Sequence, residues 1–349
     1  MKIFENKHLK VVRSSDYNYQ FNKDNGYFVR FGKTKDDDPE LAPAPEIADI
    51  EVTTICDGVG GKVCKHCYKS NTSNGNNMSL ETFKRVFDKI SSSRCLTQIA
   101  FGADSHGTSN PDLIDMMWYC RNNGVIPNIT VADISDETAE KLASVCGAVA
   151  VSRYEDKDAC YDSIQKLTKY GLEQINIHSM VSLETYPLTM ETLNDRRSDP
   201  RLKPVKAIVL LSLKQKGRGQ HFHRLPEPQF KKLVQFAMEN DIGIGFDSCS
   251  AYKFLQAIKD RKDFNRIEQY VEPCESTLFS IFVNWRGEAF PCSFTDGCVS
   301  WARGIDVPSC DDFVIDVWNS PRMLEFRNGL LNTKKCNTFN CRTCPVYDV

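Results

Sequence analysis

Short apolar runs rich in β-branched residues alternate along most of the chain with segments whose apolar residues recur at helical spacing. Each run predicts a buried strand, and the runs lie at 47–55, 97–103, 126–132, 147–152, 173–179 and 205–213. The first intervening helix is predicted to begin at Ser79, with Leu80, Phe83, Val86, Phe87 and Ile90 on one face. Further helices are predicted from Pro111 to before Gly124 and at 136–146, 158–170, 189–197 and 227–240, and a last strand at 242–246.

Six strand–helix units in succession predict an α/β fold in which helices cover a parallel sheet. Six units are too few for a closed eight-stranded barrel. In parallel barrels the chemistry lies at the carboxyl ends of the strands. Residues that directly follow a predicted strand are therefore the first candidates for a functional site.

Antiparallel elements are predicted on both sides of this region. Residues 9–32 have the pattern of a hairpin that turns at Asp24-Asn25-Gly26, and a polar, proline-rich linker follows from 35 to 45. After the last strand, residues 278–292 predict a second hairpin, and residues 312–331 predict a helix. We therefore expect an N-terminal hairpin and linker at 1–46, a strand–helix domain at 47–250 and a small carboxyl-terminal α+β domain at 251–349.

The charge balance excludes one large class of partner. The chain has 349 residues, with 44 basic and 46 acidic side chains and a net charge of -2. Such a balance gives no chain-wide basic field, so nucleic acid is not an expected partner. Nothing in the sequence approaches the roughly 20 consecutive apolar residues of a membrane span, and the start has no apolar signal core. We expect a cytoplasmic protein without a membrane partner.

Fifteen cysteines are present, and in a reducing compartment they are not expected to form disulfides. Cys95, Cys120, Cys146 and Cys160 lie in or beside predicted helices and strands, where a small buried hydrophobic residue is the simplest interpretation. The other eleven are clustered at 56–67 and 249–344.

The first cluster follows the first predicted strand and has the spacing Cys56-x7-Cys64-x2-Cys67. Three thiolates can hold three irons of a four-iron, four-sulfur cluster and leave the fourth iron open. Gly58, Gly60 and Gly61 allow the backbone to curl closely around such a group. A zinc knuckle is the alternative, although zinc sites usually pair two short Cys-x-x-Cys units.

This loop resembles the cluster loop of the radical S-adenosylmethionine (SAM) family, which usually has the spacing C-x3-C-x2-C. The present spacing requires a four-residue insertion, and His66 occupies the position that is normally aromatic. The resemblance implies a partial (β/α)6 TIM-like barrel and a four-iron cluster that binds SAM through its open iron. It also implies an enzyme that reductively cleaves SAM to a 5′-deoxyadenosyl radical and takes a hydrogen atom from its substrate.

The resemblance further implies where SAM is held. Gly102 and Asp104 follow the second strand, where the family binds the methionine amine. Ser152 and Arg153 end the fourth strand, where a polar residue for the ribose and a cation for the carboxylate are expected. His66 would lie on the same cofactor face.

The second cluster of cysteines contains Cys274-x12-Gly287-x4-Cys292 and the pair Cys341-x2-Cys344. This order resembles the SPASM and twitch domains, which carry auxiliary clusters in radical SAM enzymes. The resemblance implies that these four cysteines hold a second iron–sulfur cluster, a 4Fe–4S cluster with no open iron. By ligand number alone, four thiolates suit structural zinc as well. Cys298, Cys310 and Cys336 are left without an assigned partner.

Two further residues are candidates for the reaction itself. Asp247 and Cys249 follow the strand predicted at 242–246. Asp247 would take up the proton that an oxidation releases, and Cys249 would donate a hydrogen atom or bind the auxiliary cluster. The expected substrate is a peptide or a small molecule, and the expected electron donor is a flavodoxin or ferredoxin. The alternatives are a zinc-stabilised binding protein without turnover and a radical SAM enzyme that modifies RNA.

Overall fold

A four-stranded antiparallel sheet opens the chain in the computed structural model, which describes residues 1–34, 37–332, 342 and 344–347. Its strands, in spatial order, are β1 (Lys2–Glu5), β2 (Leu9–Arg13), β3 (Asn18–Asn22) and β4 (Phe28–Phe31). The predicted turn at 24–26 joins β3 to β4. The prediction of one hairpin over 9–32 is wrong, since Ser14 closes an additional turn by hydrogen bonds to the backbone of Tyr17.

Seven parallel strands form the centre of the molecule. They are β5 (Ile47–Glu51), β6 (Gln98–Gly102), β7 (Ile126–Val131), β8 (Ala148–Ser152), β9 (Ile175–Val181), β10 (Ala207–Ser212) and β11 (Ile244–Phe246). They lie side by side in chain order, each hydrogen-bonded to the next in parallel register. Each predicted strand is found, usually with shorter bounds.

Helices connect these strands. They are α1 (Leu80–Ser91), α2 (Leu113–Asn122), α3 (Asp136–Val145), α4 (Lys157–Lys169), α5 (Tyr186–Ser198) and α6 (Glu227–Glu239). The side chain of Ser79 caps α1 by accepting a hydrogen bond from the backbone of Thr82 at 3.1 Å. α7 (Ala251–Ile258) and α8 (Phe264–Glu268) follow the last parallel strand. Repeated β–α units of this kind make the α/β fold that the sequence predicts.

Side chains of each parallel strand alternate between the helix layer and the lumen. In β8, Val149 and Val151 are completely buried, whereas Ala148, Ala150 and Ser152 are only half-buried. The buried set faces the helices, as the approach of the Cys160 thiol on α4 to the carbonyl of Val151 shows. The half-buried set faces the lumen.

The carboxyl-terminal hairpin continues the same sheet. β12 (Ser280–Val283) pairs in parallel with β5 and antiparallel with β13 (Glu288–Phe290), which pairs with β14 (Ile305–Asp306). The predicted turn at 284–287 is present, and Gly287 has a φ of 83° that favours glycine. β11 and β12 lie at the two ends of the barrel-forming strands and are not paired with each other. We call the gap between them the seam.

The predicted helix at 312–331 is divided in two. Residues 314–318 form one turn of π-helix, and α9 (Pro321–Asn332) begins afresh at a proline. Pro321 has no N–H to donate and is favoured at the first position of a helix, which explains the break.

Two lysines join the barrel loops to the carboxyl-terminal region. Lys69 lies 3.0 Å from Glu51 and 2.6 Å from Asp296. Lys216 donates hydrogen bonds to the carbonyls of Phe294, at 3.0 Å, and of Asp296. These contacts fix the segment after β13 against the carboxyl ends of the parallel strands.

The N-terminal sheet packs at the opposite, amino end of these strands. Lys10 and Tyr19 donate hydrogen bonds of 2.8 and 2.7 Å to carbonyls just before β6. Arg30 pairs with Glu46, just before β5, at 2.9 Å and with Glu272 at 3.1 Å. Its guanidinium also lies 3.5 Å from the ring centroid of Phe279.

The described part of the chain contains no helix that is long and apolar enough to cross a membrane.

Replacing Arg30 by Met should lower the free energy of unfolding by roughly 3–5 kcal/mol, because it leaves Glu46 buried without its charged partner. Burial raises the pKa of Glu46 to about 7 against the opposing effect of Arg30. Without Arg30 that pKa would be higher still, so the additional loss in Arg30→Met should appear as the pH rises through about 7, and it should be smaller at pH 5 than at pH 8. Urea unfolding at the two pH values measures this.

Arg13→Met is the matched control on the same sheet. The guanidinium of Arg13 lies 4.9 Å from the ring centroid of Phe31, and the residue is only half-buried. Its loss should cost less than about 1 kcal/mol at either pH. Equal losses in the two variants would contradict the role given to Arg30.

Candidate functional site

The first cysteine cluster lies in a long loop that follows β5. Residues 52–77 fold back on themselves through backbone hydrogen bonds, including one of 2.7 Å from Cys56 to Thr72. The loop therefore lies at the carboxyl ends of the parallel strands, as the sequence predicts. Cys56, Cys64 and Cys67 are all half-buried, in contrast to the fully buried cysteines of the helix layer.

The three thiols of this loop surround the end of β8. Burial, together with the nearby thiols of Cys64, Cys67 and Cys56, raises the pKa of Tyr154 well above its usual range. The Cys56 sulfur also lies 3.7 Å from the hydroxyl of Ser105. The three cysteines are thus directed at one region, and three soft donors there suit an iron–sulfur cluster.

The extra residues between Cys56 and Cys64 form a closed turn. Val59 and Lys62 exchange backbone hydrogen bonds of 3.2 and 3.0 Å around Gly60-Gly61, which have φ angles of 57° and 71°. A Cβ atom on Gly58 would lie 2.7 Å from the Cα atom of Val63, so the chain leaves and returns at almost the same point. The four residues 59–62 account for the difference from a C-x3-C spacing.

Arg218 holds this loop from the segment after β10. Its Nε donates to the carbonyl of Cys64 at 2.7 Å, and its Nη2 donates to the carbonyl of Asn71 at 3.0 Å. The backbone N–H of Arg218 donates to the carbonyl of Cys67 at 3.0 Å. The sequence analysis missed this residue, although the Gly217-Arg218-Gly219 segment just beyond a strand end was a usable signal.

His66 packs as an aromatic ring. Its ring centroid lies 5.6 Å from that of Tyr154 and 5.6 Å from that of Phe222. Burial lowers the pKa of His66 to about 4, so the imidazole is neutral near pH 7. The residue therefore supplies the flat apolar surface of the aromatic side chain that it replaces in the family pattern.

The two residues predicted to bind SAM at the end of β6 differ in whether they are free to contact a ligand. Gly102 lies close to β5, and a Cβ atom there would be 3.2 Å from the Cα atom of Glu51. Asp104 is buried and accepts hydrogen bonds from the backbone N–H groups of His106, Thr108 and Ser109 at 3.0–3.1 Å. Its carboxylate closes its own loop, so the prediction that it binds an amine is not supported.

Ser152 and Arg153 point in opposite directions. Ser152 faces the lumen and shares a hydrogen bond with Tyr154. Arg153 has the outward orientation of Val149 and Val151, and its Nη2 pairs with Glu191 on α5 at 2.7 Å. Strand alternation thus places the side chain of Arg153 in the helix layer, an orientation that does not favour the predicted contact with a cofactor carboxylate.

The second group of cysteines surrounds a cavity of about 230 Å³ at the seam. Cys274, Cys292 and Cys344 line it, together with Cys249, which follows β11. The thiol of Cys274, with burial, raises the pKa of Cys249 well above its usual range, which shows how close the two residues lie. The prediction for Cys341 concerns a residue outside the described part of the chain.

Two of the unassigned cysteines lie elsewhere. The Cys298 sulfur contacts the carbonyl of Phe294 at 3.3 Å and the hydroxyl of Tyr347 at 3.0 Å, and it does not line the cavity. Cys310 is buried.

The cavity is large enough for an iron–sulfur cluster. A four-iron cluster binds each thiolate through a different iron, so its ligands stand further apart than those of a single ion. The volume of about 230 Å³ also exceeds by an order of magnitude the roughly 10–15 Å³ that one water requires.

Asp247 is already paired. Lys214 forms an ion pair with it, and the backbone N–H of Ser212 and the hydroxyl of Ser250 donate to its other oxygen. Burial lowers the pKa of Lys214, but the adjacent Asp247 outweighs it and raises that pKa overall. The carboxylate predicted to accept a proton is therefore already engaged by a buried lysine, which the sequence analysis missed.

Asp49 is a second carboxyl at the same cavity. It lies in β5, where its side chain faces the lumen, and burial raises its pKa to about 6. The sequence analysis did not identify Asp49 as a site residue. Its place within an apolar strand does not reveal which way the side chain faces, because that depends on how the barrel closes.

Comparisons with known proteins agree with this architecture. Residues 274–345 match the family model of SPASM, an iron–sulfur cluster-binding domain. Crystal structures of Streptococcus suis SuiB are similar in fold. SuiB bound to the precursor peptide SuiA matches over 97% of this chain and 93% of its own, with a TM-score of 0.71 and 10% identity. SuiB bound to S-adenosylmethionine matches over 96% and 92%, with a TM-score of 0.71 and 11% identity.

No curated protein matches the chain by sequence. The SPASM resemblance predicted from the cysteine spacing is confirmed, and so is the α/β fold.

Deleting residues 59–62 should leave the iron content of the anaerobically reconstituted protein unchanged, because Gly58 and Val63 already lie close enough to be joined. Cys64→Ala in the full chain should instead lose about four irons, those of one cluster. Iron per chain, measured by a colorimetric assay, checks both. Equal iron loss in the two variants would show that the turn is part of the metal site.

Arg153→Met should leave the dissociation constant for SAM unchanged, since the side chain lies in the helix layer. Ser152→Ala, its neighbour on the lumen side, should weaken SAM binding by up to about tenfold, the effect of one hydrogen bond. Equilibrium binding to the reconstituted protein measures both constants. Weaker binding in Arg153→Met alone would restore the original prediction.

Proposed function

We propose that the protein is a radical SAM enzyme acting on a peptide, because residues 274–345 match the family model of the SPASM iron–sulfur domain and the chain shares its fold with SuiB. The observation that carries the proposal is the place of Cys56, Cys64 and Cys67 in the loop after β5, at the carboxyl ends of the parallel strands and near Tyr154. A barrel of this kind has its chemistry at that end.

We propose that these three cysteines hold a 4Fe–4S cluster, and that SAM binds beside it. When bound, the cluster and SAM supply an electron and a primary carbon radical that removes hydrogen from an unactivated C–H bond. The chain contributes position: Arg218 fixes the carbonyls of Cys64 and Cys67, and His66 offers an aromatic face. Gly102 and Ser152 are the strand-end residues that remain available to SAM.

The auxiliary cluster is assigned to the cavity at the seam, with Cys274, Cys292 and Cys344 as ligands. Cys341 was proposed as the fourth from its spacing to Cys344. A cluster there would lie beside the buried Lys214–Asp247 pair, whose positive member favours added negative charge. This auxiliary cluster would assist an oxidation of the substrate or would bind the substrate.

The lumen provides the groups that handle the substrate. Burial lowers the pKa of His178 to about 4, which keeps this lumen imidazole neutral. Asp247 is engaged by Lys214, and Asp49 is a carboxyl at the same cavity that would take up a proton released from the substrate. Its raised pKa of about 6 suits that exchange near neutral pH.

A peptide is the proposed substrate because SuiB, which shares the fold over 97% of this chain, was solved with a precursor peptide. Nothing in the proposal depends on the sequence of that peptide. A flavodoxin or ferredoxin is proposed as the electron donor, and a cytoplasmic location follows from this reducing chemistry.

The reconstituted protein, with dithionite and SAM under anaerobic conditions, should form 5′-deoxyadenosine. The triple variant Cys56→Ala, Cys64→Ala, Cys67→Ala should form none, because no cluster remains to deliver the electron. Cys95→Ala, which alters a buried cysteine away from both sites, is the matched control and should retain activity. Product formation by the triple variant, or a colourless wild-type protein that contains zinc, would contradict the proposal.

A further inference from the structure

One cysteine at the seam cavity comes from the barrel rather than from the SPASM domain. Cys249 lies immediately after β11, 25 positions before the first residue of the region that matches the SPASM family model. It nevertheless lines the same cavity as Cys274, Cys292 and Cys344. The SPASM spacing pattern therefore gives no reason to expect a thiol from this segment.

We propose that Cys249 supplies the fourth thiolate of the auxiliary cluster, in the place that the spacing pattern assigns to Cys341. This inference rests on the proposed function, since it requires an iron–sulfur cluster at the seam. It makes the cluster a bridge between the segments that follow β11 and precede β12, two strands that are not paired with each other.

The exposure of the cysteines supports this assignment. Cys95, Cys120, Cys146, Cys160 and Cys310 are packed within the core, where they act as small apolar side chains. Cys249 is only half-buried, as are the three SPASM cysteines, because all four face the same open cavity.

The position of Cys249 is fixed by its neighbours. The turn after β11 is held by Asp247, which accepts hydrogen bonds from Ser250 and from the backbone of Ser212. Phe246 stacks on Phe254 of α7 at a centroid distance of 4.3 Å, which anchors both sides of the turn. The thiol is therefore presented to the cavity by rigid elements.

One cation also lies beside this position. Lys214 is buried beside Cys249 and forms a hydrogen bond with it. A hydrogen bond from a cation to a ligand sulfur stabilises its negative charge and is one of the means by which proteins set cluster potentials. Cys298, in contrast, contacts the carbonyl of Phe294 and the hydroxyl of Tyr347 and does not itself line the cavity.

The test uses the full chain carrying Cys56→Ala, Cys64→Ala and Cys67→Ala, so that only the auxiliary cluster is counted. This parent should bind about four irons after anaerobic reconstitution. Added Cys249→Ala should remove at least about half of that iron, while added Cys341→Ala and the matched control Cys298→Ala should leave it unchanged.

Cys249→Ser provides a second readout, because a serine oxygen can remain on the iron. It should keep most of the iron and shift the electron paramagnetic resonance spectrum of the reduced cluster. A structural thiol would leave that spectrum as in the parent. Circular dichroism confirms that each variant is folded.

Unchanged iron and an unchanged spectrum in the two Cys249 variants would overturn the inference. Iron loss in Cys341→Ala would overturn it as well, because Cys341 would then be the fourth ligand, and the proposed function would stand. A folded parent that binds no iron would instead overturn the auxiliary cluster on which the inference rests.

Discussion

The two-residue alternation of the parallel strands is the constraint on which both candidate sites depend. In β8 and β9 it sends residues such as Val149 and Ile177 into the helix layer, where they are buried, and leaves residues such as Ser152 and His178 facing the lumen. A shift of one residue would exchange the two sets. The energy of the apolar layer therefore determines which side chains face the lumen.

The seam is the second organising feature. A partial barrel leaves an unpaired strand edge at each end, and such edges carry unsatisfied backbone groups. Here β12 covers the edge of β5, and the residues after β11 and before β12 meet around the cysteine-lined cavity. The domain that carries the auxiliary site thus also completes the barrel. This explains why the sheet runs without interruption across the expected boundary near residue 250.

Sequence patterns predicted the parallel strands, their helices and the cysteine loop because each of these is determined locally. The site predictions that the geometry does not favour concern side chains whose orientation depends on residues distant in the sequence. Arg153 was assigned to the cofactor by its place after a strand, but its partner Glu191 lies on another helix. Asp104 was assigned by its charge, while both of its oxygens accept hydrogen bonds from its own loop.

The sequence analysis missed other residues for the same reason. Arg218 binds carbonyl groups more than 145 positions away, at Cys64 and Asn71. Lys214 gains its importance from Asp247, which lies 33 positions further along the chain. No local pattern reveals such pairs. The broken helix before Pro321, in contrast, followed from a local rule that the periodicity argument did not weigh.

The lysine contacts to the segment after β13 affect how cooperatively the protein unfolds on heating. Lys69 is clamped between Glu51 in β5 and Asp296 beyond the hairpin, and Lys216 holds the same segment from the loop after β10. Two regions that share a continuous sheet and are joined by buried charges do not melt one before the other. Heating should therefore give one cooperative calorimetric transition, whose enthalpy reflects the whole chain.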